Sequence, residues 1–198
     1  MKSPYSATDK TIAYLNKQYP KLFRRVASFD ELNVIPVSHE IYDSIYELVK
    51  REATRLSEVV YRSKKKSEEQ SEFDPAVFIA ALLLAYNPVT KYVYENELER
   101  KRARFAESLI ASETPAEEIA LAQRLVAGMN AQFMDDVTFE AMLQAFRDSG
   151  VTRVRWVTSP DDRRCKQCAS RHMKIYSINN VPAKPHIHCR CWIEEVEV

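Results

Sequence analysis

Residues 41–62 of this 198-residue chain read IYDSIYELVKREATRLSEVVYR. Apolar side chains recur in this stretch at alternating steps of four and three positions: Tyr42, Tyr46, Val49, Ala53, Leu56 and Val60. Because an α-helix completes a turn in about 3.6 residues, this spacing places all of them along one face. The stretch therefore predicts an amphipathic helix of about 25 residues with a heptad-like seam that faces a core.

The residues after this helix predict further helices. Asp74 and Pro75 have the residue types of a helix N-cap and of a first helical position. The apolar run 76–86 follows them, and we expect it to be the most buried element. A third helix is predicted over 89–112, and its charge-rich middle indicates either a solvated face or a docking face for a charged partner, with the solvated face favoured.

Two more helices are predicted before the polypeptide changes character. The sequence TPAE at 114–117 is a capping box with proline at the first helical position, and it starts a helix whose apolar stripe reaches Phe133. The pair Asp135-Asp136 is expected to interrupt the helical structure. A last helix is then predicted over 138–148, and Gly150 suits the left-handed position at which helices often end.

The C-terminal part of the sequence has a different pattern, with short strands predicted over 151–158, 175–178 and 192–198. We therefore divide the chain into a helical body, residues 1–150, and a small Cys/His metal-binding module, residues 151–198. The formal charge divides in the same way, with a net −3 in the body and a net +4 in the module. The predicted fold class is mainly α, with long amphipathic helices, plus a small C-terminal zinc-stapled β/loop module.

The composition excludes several classes of function. The two glycines, Gly128 and Gly150, lie far apart, so the chain has no glycine-rich loop that could cradle nucleotide phosphates. A net charge of +1 gives no global attraction to nucleic acid. The apolar run 76–86 is about half as long as a membrane-spanning helix, and no apolar secretory segment follows Met1. We therefore expect no membrane partner and a protein that is made and kept in a cytoplasm.

The cysteines are the strongest indication of chemistry. All four lie in the last 34 residues, and three of the four histidines share that stretch: Cys165, Cys168, Cys189, Cys191, His172, His186 and His188. Disulfides rarely account for such a cluster in a reducing compartment, whereas metal binding accounts for it well. Cys and His are the ligands of structural zinc sites, which are closed by four donors. We therefore predict a structural zinc ion.

The spacing leaves the choice of ligands partly open. The C-x-x-C turn at 165–168 lets two thiolates point at one ion, so this pair is the firmest. In an extended segment residues 189 and 191 project to the same side, so that either both bind or one binds together with His186. The histidines at 172 and 188 are weaker candidates. We expect the metal to be held by four of five residues: Cys165, Cys168, His186, Cys189 and Cys191.

The same region resembles a known family. The strings WVTSPDDRRCKQC, residues 156–168, and PHIHCRC, residues 185–191, are similar to the C-terminal signature of the Mu F-like family of phage minor head morphogenesis proteins. His186 matches the family histidine, and Arg190 matches the arginine between the last two cysteines. A looser similarity to the helical part of some phage minor head proteins covers residues 87–104.

The resemblance implies a structural role without enzymatic activity. Proteins of this family act in the assembly of tailed-phage heads and affect DNA packaging or exit. The implied partners are the portal protein and the major capsid protein, and weak non-specific contact with packaged DNA is compatible with this role. The implied location is the virion, at the capsid interior or the portal vertex, after assembly in the cytoplasm of the bacterial host. Arg163, Arg164 and Arg190 are then expected to be surface or contact residues.

Two other functions compete with this one. A zinc-dependent nuclease-like effector would need an open coordination position and a nearby general base, and only Asp161 and Asp162 lie close in sequence. A nucleic-acid-binding zinc module could use the basic residues of the tail for phosphate contacts. However, the cysteine spacing differs from that of zinc fingers, and no recognition helix follows the second ligand pair.

Overall fold

A computed structural model describes five segments of the chain: residues 4–26, 35–65, 72–86, 114–158 and 165–196. The helix predicted over 89–112 lies outside the described residues, and so do Asp161, Asp162, Arg163 and Arg164. The described part is mainly α-helical, with a small three-stranded sheet near its C-terminus.

The helices are α1 (Ser6–Leu22), α2 (Ile35–Lys64), α3 (Pro75–Tyr86), α4 (Pro115–Asp148) and the short α5 (Lys166–Arg171). Two single turns of 3₁₀ helix occupy Phe23–Arg25 and Ile178–Asn180. The strands are β1 (Arg153–Val157), β2 (Ile175–Ser177) and β3 (Trp192–Glu195). The predicted fold class is confirmed as mainly α with a small C-terminal β/loop module, and α5 is an addition to the strands and loops expected in the tail.

Helix α2 carries the predicted seam. Of the six seam residues, only Tyr46 is half-buried, while the other five are buried. Helices α1 and α4 both pack against α2 and against each other, so these three helices enclose the core of the body. The heptad-like spacing therefore predicted both the helix and the face that it buries.

Helix α4 is continuous over 34 residues, so the interruption expected at Asp135-Asp136 was wrong. Cations from the tail reach both carboxylates. Lys184 Nζ lies 3.4 Å from Asp136 Oδ1, and Arg190 Nε lies 3.5 Å from Asp135 Oδ1. Because the partners are about 50 positions away in sequence, no local window could show that two adjacent acidic residues are tolerated inside the helix.

The two ends of α4 were predicted correctly. The Glu117 carboxylate accepts a hydrogen bond of 3.2 Å from the backbone N–H of Thr114, which is one half of the capping box. At the other end Gly150 has φ +72°, and its N–H donates to the carbonyl oxygen of Arg147. This left-handed conformation costs a glycine little, and it turns the chain from α4 towards β1.

Helix α3 begins as predicted, since the Asp74 carboxylate accepts hydrogen bonds from the N–H groups of the next turn. The expectation that it would be the most buried element was wrong. Ile79 is fully buried, but Val77 is 66% exposed and Leu84 is 86% exposed. The main contacts of α3 are with α2, so only one face of an all-round apolar helix is covered by the part of the chain that is described.

The sheet has the order β2-β1-β3, and both pairings are antiparallel. Arg155 pairs with Ile175 on one side and with Glu194 on the other. Trp156, which points to the opposite face, is fully buried, and its ring centroid lies 5.6 Å from that of Phe139 on α4. The sheet thus covers the C-terminal half of α4.

The predicted boundary between residues 150 and 151 falls where α4 gives way to the strand region. The hydrophobic core does not divide there. One cluster of buried side chains runs from Tyr5 and the helices through Trp156 to Ile193. This continuity places the cysteine-rich loops directly against the helical body.

Candidate metal centre

The first two candidate ligands lie at the start of α5. Cys165 is the N-cap residue of this helix, and its Sγ accepts a hydrogen bond of 3.2 Å from the backbone N–H of Cys168. The turn brings both sulfur atoms to the same side, as the C-x-x-C spacing predicted. Cys168 is buried and Cys165 is half-buried, so the pair spans the boundary between the core and the solvent.

The other three candidates come from the loop that leads into β3. His186 Nε2 lies 3.1 Å from Cys168 Sγ, and His186 Nδ1 lies 2.8 Å from the carbonyl oxygen of Ile187. A proton on Nδ1 satisfies that carbonyl and leaves the lone pair of Nε2 facing the cysteine. A second hydrogen bond of this kind orients most metal-binding histidines.

Cys168 is the centre of the arrangement. Its Sγ lies 3.7 Å from Cys189 Sγ, close to the roughly 3.8 Å that separates two sulfur ligands in a tetrahedron with Zn–S bonds of about 2.3 Å. Two groups of donors, each with all atoms within 4.8 Å of one another, share this residue: Cys165, Cys168 and His186, and Cys168, Cys189 and Cys191. All five predicted ligands therefore come together, and they could hold a metal ion.

The pKa values of the four thiols indicate which protons a bound ion would displace. Burial raises the pKa of Cys168 to about 12. A hydrogen bond to Cys191, together with burial, raises the pKa of Cys189 well above its usual value. The hydrogen bond from Cys189 lowers the pKa of Cys191, and the bond from the Cys168 N–H lowers that of Cys165. The cluster thus shares protons between close sulfur atoms, and a bound divalent cation would displace these protons.

A buried indole supports the fit of a metal ion. The Nε1–H group of Trp156 has no oxygen or nitrogen acceptor among the described residues, although the side chain is fully buried. This indole is one of the groups that lower the pKa of Cys191. An unpaired buried N–H is costly, whereas a thiolate bound to a cation is an acceptor for it. The donor types and this N–H group fit a thiolate-rich metal site.

The two weaker histidine candidates do not belong to either donor group in the described segments. His172 Nδ1 lies 3.0 Å from the hydroxyl oxygen of Thr158, away from the thiols. His188 is exposed, and its backbone N–H donates to Gln132 on α4. With φ +56°, His188 makes the turn that returns the loop to Cys189.

Arg190 makes contacts within the chain that the sequence did not indicate. Its side chain is 36% exposed, its Nη2 lies 2.8 Å from Asp9 Oδ1 and its Nε lies 3.5 Å from Asp135 Oδ1. Its guanidinium group also lies over the ring of Tyr5, 4.6 Å from the centroid. Alternation along the extended segment could have shown that Arg190 points away from the cysteines on either side. Nothing in the sequence identified its partners.

Lys184 was also missed. Its side chain is 8% exposed, and its Nζ donates a hydrogen bond of 2.7 Å to the backbone carbonyl oxygen of Asp135. The ammonium group also lies 5.6 Å from the ring centroid of Tyr5 and 5.5 Å from that of Phe139. Burial lowers the pKa of Lys184, and the neighbouring carboxylates oppose this effect. Lys184 and Arg190 together fix the loop that carries His186, Cys189 and Cys191 to α4.

Comparisons with family models, with curated proteins and with solved structures find no match to this chain. Among the described residues, no helix combines the length and the apolar character needed to cross a membrane.

Proposed function

We propose that this protein is a structural, non-enzymatic minor head protein of a tailed phage or prophage, whose C-terminal module is held together by one zinc ion. It works through contacts with the portal protein, the major capsid protein or both during head assembly and DNA packaging or exit. It is made in the host cytoplasm and ends in the virion. The observation that carries the proposal is the cluster of five candidate donors around Cys168, formed by residues of the two strings that resemble this family.

The number of donors supports a structural ion. Catalytic zinc sites have three protein ligands and leave one position for water, whereas structural sites are closed by four. Five donors meet here, and three of them, Cys168, Cys189 and Cys191, are buried. These donors form two overlapping groups of three that share Cys168, so the chain offers more candidate ligands than one tetrahedral ion needs. This favours a staple over the nuclease-like alternative.

The surroundings of the cluster support the same role. The stretch that resembles the head proteins begins at Trp156, whose buried indole adjoins Cys191, and ends at Cys191, whose carbonyl oxygen accepts a hydrogen bond from Tyr5. The ion would join α5 to the loop before β3. The chain between these two parts contains only a short strand, one turn of 3₁₀ helix and irregular turns. A small module of this kind gains much of its stability from the metal.

Contact with packaged DNA is a secondary part of the proposal. In the tail, Arg153, Lys166 and Lys174 are exposed. Separate surface cations of this kind permit phosphate contacts without sequence preference. Retention on DNA-cellulose is expected to be weak and to fall steeply with salt. A sequence-dependent affinity would instead favour the nucleic-acid-binding zinc module.

The first test is the metal content of the purified protein. About one zinc per chain is expected, released only when the thiols are modified, and the Co²⁺-substituted protein should show the absorption of a closed tetrahedral site. Spectral change on addition of azide or phosphate would indicate an open position. Metal-dependent cleavage of DNA or RNA would then support the nuclease-like alternative.

The second test addresses the partner. The protein is co-expressed with the portal and major capsid proteins of its own genome, and complexes are separated by size-exclusion chromatography. Co-elution with either one supports the head role, and Cys168→Ser should weaken it if the zinc module forms part of the contact. Ser170→Ala, an exposed position on the same helix α5, is the matched control. Absence of any complex with head components would count against the proposal.

A further inference from the structure

The beginning of α1 lies against the segment that carries the last two cysteines. Tyr5, the residue before this helix, is fully buried, and its hydroxyl group donates a hydrogen bond of 2.9 Å to the carbonyl oxygen of Cys191. The ring of Tyr5 lies between two cations of the tail. Arg190 is 4.6 Å from its centroid and Lys184 is 5.6 Å from it. Tyr5, at the start of α1, is therefore packed against the loop that carries the candidate ligands.

Arg190 makes most of the polar contacts in this region. Its Nη2 pairs with Asp9 at 2.8 Å and lies 3.4 Å from the carbonyl oxygen of Tyr5. Its Nε faces Asp135 on α4. One guanidinium group thus connects the first turn of α1, the middle of α4 and the loop between two candidate ligands.

These contacts depend on the shape of the donor loop. Arg190 is flanked on both sides by candidate ligands, Cys189 and Cys191, so a bound ion fixes the backbone on either side of it. Because side chains alternate in direction along an extended segment, the Arg190 side chain points away from the ion and towards Tyr5. The Tyr5 hydroxyl group donates to the backbone carbonyl group of Cys191, which is itself a candidate ligand. An ion bound to these ligands would therefore restrain both contacts through the backbone of the loop.

The rest of α1 is anchored independently of that loop. The hydroxyl groups of Thr8 and Thr138 lie 2.7 Å apart, and the Asn130 amide donates to the hydroxyl oxygen of Tyr19 at 2.8 Å. Leu15 is buried in the core of the body. The contacts that depend on the loop are therefore confined to the first turns of the helix.

We propose that metal occupancy controls the docking of the N-terminal turns of α1, with Arg190 as the connection. In the metal-loaded protein Tyr5 and Asp9 are held against the tail. In the metal-free protein Tyr5 and Asp9 lose their contacts with the tail and the first turns fray, while Thr8 keeps its contact with Thr138 and α1 from Leu15 onward stays packed on α2 and α4. The inference rests on the metal centre proposed above and adds that the ion acts on the opposite end of the chain.

The test is hydrogen exchange of the full chain, measured by mass spectrometry in the zinc-loaded and the chelator-treated protein. Removal of zinc is expected to speed exchange of the amides of residues 9–13 on the order of tenfold, with little change over 17–22. Arg190→Gln should give the fast exchange even with zinc bound at the same stoichiometry. Arg62→Gln, which removes an exposed arginine paired within α2, is the control and should behave like the unmodified chain.

The possible results distinguish a failure of the metal centre from a failure of its connection to α1. If zinc binds and leaves, and residues 9–13 exchange equally in both states, the connection is wrong while the metal centre stands. If elemental analysis finds no metal in the chain under any condition, the centre fails and the inference fails with it. Should Arg190→Gln not fold, Tyr5→Phe removes the bond to Cys191 alone. It must then speed exchange at 9–13 in the zinc-loaded protein for the proposal to survive.

Discussion

The Tyr5 hydroxyl group and the Cys191 carbonyl oxygen form a buried hydrogen bond between residues that are 186 positions apart. The bond ties the first helix to the strand that ends the described chain. Burial raises the pKa of Tyr5 well above its usual value, since the ionised phenol would lose this bond in an apolar environment. The two ends of the chain therefore share one buried polar contact within a continuous core.

The first prediction concerns this bond. Tyr5→Phe keeps the ring between Lys184 and Arg190 but leaves the carbonyl group of Cys191 without its donor. We expect a loss of about 1–3 kcal/mol in the free energy of unfolding, measured by urea denaturation of the zinc-loaded protein. Tyr14→Phe, at a tyrosine that is 42% exposed, is the control and should change stability little. Equal stability of the two variants would mean that the buried bond contributes nothing measurable.

The second prediction ranks the ligands. Cys168 belongs to both donor groups, whereas Cys165 belongs to one. Cys168→Ser should therefore abolish stoichiometric zinc binding, and Cys165→Ser should weaken it while the buried group of Cys168, Cys189 and Cys191 still binds. Competition with a chromogenic chelator measures both affinities. An equal loss in the two variants would show that the C-x-x-C pair acts as a unit.

The sequence predicted the elements whose signals are local. Steps of four and three positions gave α2 and its buried face, and Asp74 and Gly150 marked a helix start and a helix end. The five metal-ligand candidates were also visible, because thiols and imidazoles concentrated in one short stretch are typical of a metal site. The closeness of all five to Cys168 agrees with that expectation.

The errors came from interactions at long range. The partners of Asp135 and Asp136 are Arg190 and Lys184, and no pattern near residue 135 indicates them. The apolar composition of α3 gave its helical structure but could not show that only one face would meet α2. Hydrophobicity indicates that burial is favourable, while packing decides which side is buried.

The third prediction tests the two sides of α3. Ile79 is fully buried and Leu84 is 86% exposed on the same helix. Ile79→Ala should cost about 2–5 kcal/mol because it leaves a cavity, whereas Leu84→Ala should stay within about 0.5 kcal/mol of the unmodified chain. Thermal or urea unfolding of the two variants measures the difference. A large loss in Leu84→Ala would contradict the exposure of that face.

The fourth prediction concerns the buried ion pair of Lys184 and Asp136, whose side chains are 8% and 15% exposed. Lys184→Met keeps much of the aliphatic length but leaves the carboxylate without its cation. Asp136 would keep the hydrogen bond from the Gln132 amide but lose its cation. Since a partly buried carboxylate without a cation is costly, we expect a loss of about 3 kcal/mol. The double variant Lys184→Met with Asp136→Leu removes both charges and should recover much of that stability. If the double variant is no better than the single one, the lysine acts through its bond to the Asp135 carbonyl instead.

The fifth prediction is a loss of stability at alkaline pH. Burial raises the pKa of Tyr5 and of Tyr19 above the usual value of about 10, although the Asn130 amide partly opposes the effect at Tyr19. The folded protein therefore keeps two phenolic protons that the unfolded chain releases above about pH 10. The contribution of these two tyrosines is constant below that pH and falls as the pH rises, by about 1.4 kcal/mol per pH unit for each group. The free energy of unfolding, measured by urea denaturation at several pH values in this range, gives the slope. In Tyr19→Phe the slope should correspond to one proton fewer. An unchanged slope in that variant would show that Tyr19 ionises equally in the folded and the unfolded state.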